Sequence, residues 1–158
     1  MPFINEKYSS YHDFARATTE DIFGDALNKG VQKTVRTLES CVFLNNGKGR
    51  FSKIALPNEA QFSPIQGIEI QDINNDGIQD VVCVRNLYET EVETARHDAG
   101  RGECLLGTGD GHFVPMSIYE SGFYFQDNVK SLKSIRIGEG TTFLIGINNG
   151  ILKGVTLK

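Results

Sequence analysis

A Gly-x-Gly-x-Phe turn occurs twice in this chain, and the spacing of the two copies constrains the fold more than any other feature. Residues 42–51 align with residues 104–113 at a constant offset of 62, and each turn lies between two apolar, strand-like runs. Glycine adopts positive φ at no steric cost, which a tight hairpin turn requires. A weaker repeat pairs residues 81–86 with residues 144–149 at an offset of 63. These repeats predict successive copies of one β unit, as in propellers and solenoids.

The composition is that of a folded protein, and it argues against several classes of partner. Glycine accounts for 17 of the 158 residues, about 11% against a usual ~7%, and the repeated turns explain much of this excess. The formal net charge of −4 argues against nucleic acid or an anionic membrane as a partner, because binders of both use a basic face. No apolar run approaches the roughly 18 residues of a membrane span, and the first residues lack the pattern of a secretory signal.

The first forty residues differ from the rest of the chain. Apolar residues recur at helical spacing over residues 8–28, which predicts one bent helix or two short helices. Ser10 and Thr18 each begin a possible capping box at a helix N-terminus. The sequence therefore predicts an N-terminal helical segment over residues 1–40, which docks on an apolar surface, ahead of a β region over residues 41–158.

Short β runs separated by turn residues follow the helical segment and predict an all-β sheet assembly rather than alternating β and α. The predicted strands are Cys41 to Leu44, Phe51 to Leu56, Gly67 to Gln71, Val81 to Arg85, Cys104 to Gly107, Phe113 to Ile118, Leu132 to Ile137, Phe143 to Ile147 and Ile151 to Leu157. Grouped as two, four and three strands, they make about two propeller-type blades, whereas a closed propeller needs about four to eight. Either the chain is a fragment, or copies associate and cover the sheet edges; we favour a homo-oligomer.

The loop between the third and fourth predicted strands carries the strongest signal for a ligand. Oxygen-bearing side chains stand at its positions 1, 3, 5 and 9, with glycine at position 6 and a backbone carbonyl available at position 7. Ca²⁺ binds six to eight oxygens, and a tight loop with inward-pointing alternate residues supplies them. An EF-hand would have glutamate at position 12, where this chain has Cys83 in a β run. The alternative is an Asx-rich turn that binds no metal. The candidate calcium ligands are Asp72, Asn74, Asp76, Ile78 and Asp80.

This loop and its flanking strands resemble one unit of the FG-GAP/VCBS repeat family, the integrin-alpha-like β-propellers. The two Gly-x-Gly-x-Phe hairpins resemble the outer-strand turns of that family, so the resemblance spans about residues 41–157. The chain also resembles the C-terminal end of longer members with ASPIC/UnbV-type domains, including the helix at Tyr11-His12-Asp13-Phe14. The resemblance implies a structural calcium ion held by the five candidate ligands. It also implies an extracytoplasmic family, although the compartment of this chain stays open.

Two departures from the family pattern limit what the resemblance implies. The Phe-Gly pair of the family name is replaced by Phe51-Ser52 and Phe113-Val114. Residues 138–142 stand where the last unit would have its calcium loop, so a single site is expected. The predicted function is a calcium-binding β-propeller-type module for protein or carbohydrate binding or for assembly, with no catalytic residues assigned. The alternatives are a polysaccharide-degrading enzyme with a site on the blade loops, and a fragment without an independent function.

The polar loop over residues 86–102 is a second candidate site, because long loops are often functional. Tyr88, Arg96 and His97 are able to bind a sugar or an acid, or to act as acid and base. A solvated loop with internal salt bridges is the simpler interpretation. The three cysteines fall within predicted strands and are expected to be buried free thiols: Cys41, Cys83 and Cys104.

Overall fold

The computed structural model describes residues 2–138 and 140–157. The chain divides into two compact units: one ends at Leu38 and the other begins at Glu39. Strand makes up 35% of the structure and helix 19%. The mainly β class predicted from the sequence is therefore confirmed.

The first unit contains four short helices instead of the one or two predicted. They are α1 (Pro2–Lys7), α2 (Tyr11–Arg16), α3 (Thr19–Phe23) and α4 (Ala26–Lys29). Side-chain caps divide the segment: Ser10 Oγ accepts from the Asp13 amide at 3.1 Å, and Thr18 forms a complete capping box with Asp21. Gly30 follows α4 with φ −82°, so the end of this helix does not use the left-handed conformation that glycine permits. No residue of these four helices is buried.

Within the described residues, the second unit contains three small antiparallel sheets built from nine strands. The strands are β1 (Cys41–Asn45), β2 (Phe51–Ala55), β3 (Ile65–Gln71), β4 (Asp80–Arg85), β5 (Glu103–Gly107), β6 (Phe113–Pro115), β7 (Val129–Ile137), β8 (Gly140–Ile147) and β9 (Lys153–Thr156). Their sheet orders are β1-β2, β3-β4-β5-β6 and β7-β8-β9, which matches the predicted grouping of two, four and three. No sheet formed by the described residues is closed.

The two repeated hairpins have the same turn geometry, as the sequence repeat predicts. In the β1–β2 turn, Gly47 and Gly49 both have φ +74°, and in the β5–β6 turn, Gly109 and Gly111 have φ +86° and +92°. Each turn is closed by an amide-to-carbonyl hydrogen bond of 3.0 Å across four residues. A Cβ on Gly111 would lie 2.4 Å from a methyl of Leu44, so the second turn packs directly on the first sheet.

Beyond β6 the structure differs from the predicted strand, which extends to Ile118. Ser117 caps a short helix, α5 (Ile118–Ser121), and forms a capping box with Glu120. The box satisfies backbone N–H groups that a strand would pair in a ladder, so the chain turns away from the sheet here. A 3-10 helix over Asn58–Gln61 lies between β2 and β3.

The four-stranded sheet is covered on both faces, which explains why all six residues of β4 are buried. One face packs Val82, Val84 and Cys104 into a cluster with residues of β7 and β8. The opposite face packs Val81, Cys83 and Leu105 against Leu56 and Ala60, with Val42 of the β1–β2 sheet beside them. At the edge, β3 approaches β7 so closely that a Cβ on Gly67 would lie 2.7 Å from the Leu132 nitrogen.

Candidate functional site

The predicted calcium loop connects β3 to β4, which are antiparallel neighbours. Asp72 accepts hydrogen bonds from the amides of Asp76 at 3.1 Å and Gly77 at 2.8 Å. The Asp76 amide also lies 3.1 Å from Oδ1 of Asn74. Asp76 itself accepts from the Ile78 amide at 2.7 Å and from Nδ2 of Asn74 at 2.8 Å. Three predicted ligands therefore turn their oxygens into one tight loop, and Gly77, with φ +87°, supplies the sharp turn.

Asp80, the predicted ligand at position 9, has an additional role that the sequence did not predict. Its side chain is fully buried, with Oδ2 accepting from the Ile73 amide at 2.9 Å and Oδ1 from the Gly107 amide at 2.8 Å. Asp80 thus joins the start of the loop to the end of β5. The fit at Gly107 is close, since a Cβ there would lie 2.3 Å from the Gln79 carbonyl oxygen.

The oxygen set of this loop fits Ca²⁺ in chemical type, because carboxylate, amide and carbonyl oxygens are the ligands of this hard cation. In the described part of the chain, no three His, Cys, Asp or Glu side chains converge into a metal-binding group. The loop amides instead donate hydrogen bonds to the side-chain oxygens of Asp72, Asn74 and Asp76. Asp80, at the start of β4, is buried. The Ile78 amide bonds to Asp76, while its carbonyl is the predicted ligand.

A polar groove of about 780 Å³ lies elsewhere in the second unit. Three segments form it: the start of the 86–102 loop, the segment before β7, and the β8–β9 turn. Its lining residues are Tyr88, Glu89, Tyr124, Gln126, Asp127, Asn128, Ile147, Asn148, Asn149, Gly150 and Lys153.

Of the three residues proposed for the 86–102 loop, only Tyr88 lines this groove. Its hydroxyl donates to the Gln126 carbonyl at 2.7 Å, and the Arg96 guanidinium lies 5.1 Å from its ring centroid. His97 instead pairs through its backbone with Leu87, at 2.9 and 3.0 Å. The structure therefore brings Tyr88 and Arg96 together, while His97 forms an isolated antiparallel bridge with Leu87.

Glu89, which sequence reasoning did not single out, makes an ion pair and two side-chain hydrogen bonds at the groove. Its Oε2 lies 2.8 Å from Nζ of Lys130 on β7, so this ion pair leaves the loop instead of being internal to it. Oε1 accepts from Nδ2 of Asn128 at 2.5 Å and from Nδ2 of Asn148. The Lys130 ammonium lowers the pKa of Glu89 to about 2, with a further contribution from the Asn128 amide.

Asn86, directly after β4, is a fully buried hydrogen-bonding centre that sequence reasoning also missed. Its Nδ2 donates to the carbonyls of Gly100 at 3.1 Å, Gln126 at 3.0 Å and Asp127 at 3.1 Å. Its Oδ1 accepts from the Gly100 amide at 2.9 Å and from the Ser63 hydroxyl at 3.1 Å. Asn86 adopts φ +88° to make these contacts, so one side chain holds both the polar loop and the segment that forms the groove.

A buried ion pair lies beside this centre. Arg85 Nε is 2.7 Å from Oε2 of Glu103, and the Arg85 side chain is fully buried. The contact is an ion pair without an aligned hydrogen bond. Burial raises the pKa of Glu103, and the Arg85 guanidinium opposes this effect. The pair joins β4 to β5, and its Glu103 carboxylate is bound to Arg85 instead of being free to act as a nucleophile.

The cysteines are free thiols, as predicted, but only two of them are buried, because Cys41 in the first sheet is half-buried. Cys83 and Cys104 lie on opposite faces of the four-stranded sheet, so they belong to different core clusters and do not pair. Burial raises the pKa of Cys83 to about 11 and that of Cys104 to about 12. Both thiols stay protonated at neutral pH, which excludes them as activated nucleophiles.

The chain matches no protein-family model, no curated protein and no solved structure. The resemblance to FG-GAP/VCBS repeats therefore rests on the residues of this chain alone. None of the helices in the described residues has the length and apolar character needed to cross a membrane.

Proposed function

We propose that this chain is a calcium-stabilised β-propeller-type module that serves binding or assembly rather than catalysis. The observation that carries the proposal is the loop between β3 and β4, in which Asp72, Asn74 and Asp76 direct their side-chain oxygens inward. A cation bound by these oxygens would hold the loop in one conformation and would tie together the two strands that it connects. Calcium would therefore act on stability, with no part in a reaction.

The arrangement of the three sheets supports a propeller-type architecture. The four-stranded and three-stranded sheets are antiparallel meanders, the β1–β2 sheet is a hairpin, and the four-stranded sheet packs between the other two. Propeller blades are four-stranded sheets that pack in this way around an axis. The two-stranded and three-stranded sheets correspond to incomplete blades in this proposal, so further strands, from copies of the chain, would complete the assembly.

Calcium is expected to raise the melting temperature of the full chain by about 5–10 °C when its concentration is about 100 times the dissociation constant. Binding to the folded state alone adds about 2.7 kcal/mol under that condition, and each kcal/mol shifts the melting temperature by about 2–4 °C at this chain length. Calorimetry with calcium and with chelator measures the shift. Asp76→Asn is expected to abolish it, because the variant keeps an oxygen for the Ile78 amide but loses a charged ligand.

Asp110→Asn is the matched control for this experiment. Asp110 is exposed and lies in the β5–β6 turn, where its carboxylate also accepts a loop amide, that of His112, at 3.1 Å. This variant should keep the full calcium shift. Equal melting temperatures with calcium and chelator in the unmodified chain would contradict the proposed calcium site.

Self-association is expected to depend on the outer face of the β1–β2 sheet. Phe43 and Phe51 share this face and are 59% and 61% exposed, whereas Leu44 on the opposite face packs against Gly111. Light scattering should give a mass of at least twice the 17.5 kDa of one chain. Phe43→Ser with Phe51→Ser should give a monomer, since it removes the apolar area that a second copy would cover.

Phe62→Ser is the control, because Phe62 is similarly exposed at 58% but follows the 3-10 helix and is not part of the β1–β2 sheet. It should leave the oligomeric mass unchanged. A folded, strictly monomeric unmodified chain would contradict the proposal that copies complete the blades.

A further inference from the structure

We propose that the polar groove beside the 86–102 loop binds a neutral saccharide. The proposal rests on the binding role proposed above, but it requires neither calcium nor assembly, because none of the predicted calcium ligands lines the groove. The volume of about 780 Å³ lies within the range of small-molecule sites, about 300–1,000 Å³. The lining combines two aromatic rings with amide and charged side chains, so it offers both apolar contact and many hydrogen bonds.

The charges of the groove are balanced, which favours a neutral ligand. Glu89 pairs with Lys130 and Asp127 pairs with Lys153, each at 2.8 Å. No excess of either sign remains in these two pairs to attract a phosphate, a sulfate or a basic peptide. Paired carboxylates still accept hydrogen bonds from hydroxyl groups, and the amides of Gln126 and Asn149 offer donors and acceptors on the same surface. A ligand rich in hydroxyl groups uses both kinds of partner.

Asn128 provides a second observation that points to a ligand. The residue lines the groove and is only 7% exposed. Its Nδ2 is held by Glu89 at 2.5 Å, while its Oδ1 is buried and has no hydrogen-bond partner among the described residues. A buried acceptor without a donor is destabilising. A ligand hydroxyl that displaces the half-exposed Glu89 side chain would be able to donate to this oxygen.

The two tyrosines supply flat surfaces on which the C–H face of a sugar ring can pack. Tyr124 is 45% exposed at the groove, so its ring is accessible. Tyr88 is held in place from two sides, by its hydrogen bond to the Gln126 carbonyl and by the Arg96 guanidinium near its ring. Tyrosine suits an amphipathic ligand because its ring is apolar and its hydroxyl is polar. Rigid aromatic contact together with hydrogen bonds at the rim therefore favours a saccharide over an apolar ligand.

Titration of the full chain with neutral oligosaccharides of glucose, mannose and galactose, followed by calorimetry, tests this proposal. A sulfated oligosaccharide serves as the charged comparison. We expect saturable binding of at least one neutral oligosaccharide. Tyr124→Ala should weaken that binding about ten-fold, because it removes an exposed stacking surface without opening the core. Tyr119→Ala is the matched control, since Tyr119 is 97% exposed on α5 and does not line the groove.

Three results would overturn the proposal: no binding of any neutral oligosaccharide, equal weakening by the control variant, or binding of the sulfated compound alone. Chelator should leave saccharide binding intact at a temperature where the protein stays folded. Measuring the calcium shift in the same samples separates the two proposals. Loss of saccharide binding with an intact calcium shift would refute the groove alone, and the reverse result would refute the calcium site alone.

Discussion

Replacing Asn86 by alanine is expected to lower the free energy of unfolding by about 3–5 kcal/mol. The substitution removes the partners of buried carbonyls in two different segments and of the Gly100 amide. Each buried polar group that loses its only partner costs about 1–3 kcal/mol. The backbone at φ +88° adds to this cost, because asparagine tolerates the left-handed region better than alanine does. Urea denaturation of the full chain measures the loss.

Two further variants separate the contributions at this position. Asn86→Gly removes the same hydrogen bonds but accepts the positive φ, so it should be less destabilising than Asn86→Ala by about 1 kcal/mol. Asn46→Ala is the control, because Asn46 accepts two loop amides in the exposed β1–β2 turn, at 2.9 and 3.2 Å. Solvent replaces those bonds, and we expect a cost below about 1 kcal/mol. Equal losses at Asn46 and Asn86 would contradict the assigned role of Asn86.

Asp80→Ala is expected to cost about 2–4 kcal/mol of unfolding free energy even in chelator, where no calcium is bound. The reason is that the buried carboxylate satisfies the partly buried amides of Ile73 and Gly107, which both lose their partner in the variant. This effect requires no metal. Unfolding in urea with and without chelator measures it.

The decisive comparison is between the unfolding free energies lost by Asp80→Ala and by Asp76→Asn, at the exposed end of the same loop. In chelator, Asp76→Asn should cost less than about 1 kcal/mol, because its hydrogen bonds are exposed, while Asp80→Ala keeps its full cost. Asp110→Ala is the matched control for the substitution, since that aspartate is exposed and accepts one amide. A loss at Asp80 that appears only with calcium present would mean that Asp80 acts as a ligand alone.

Local structure in this chain followed from the sequence with few errors. Nine predicted strands correspond to the nine observed, and the repeated turns have glycine at positive φ where the repeat predicts it. One error lies where a side-chain cap redirects the backbone, because Ser117 starts α5 within a predicted strand. The caps at Ser10 and Thr18 were predicted, but the short helices α1 and α4 on either side of them were not. Such caps involve a few neighbouring residues, but whether they prevail depends on what the flanking backbone would otherwise pair with.

The candidate sites were predictable to different degrees. The loop from Asp72 to Asp76 was recognisable because its oxygens come from one short segment. The buried role of Asp80 depends on Gly107, 27 residues away, and was not recognisable. The groove was signalled only by Tyr88 in a long polar loop, since Tyr124 and Lys153 reach it from distant parts of the chain. A signal for Asn86 exists in retrospect: it comes directly after a strand whose central residues, 81–84, are apolar on both faces.

The sequence by itself determined the β class, the repeated hairpins and the oxygen-rich loop, because each depends on residues within a few positions of one another. Only the tertiary structure decided which polar groups are buried and which segments share a site. Asn86 meets partners 14, 40 and 41 residues further along the chain. These contacts follow from the face-to-face packing of the sheets, which sets the distances between remote segments and excludes water from between them.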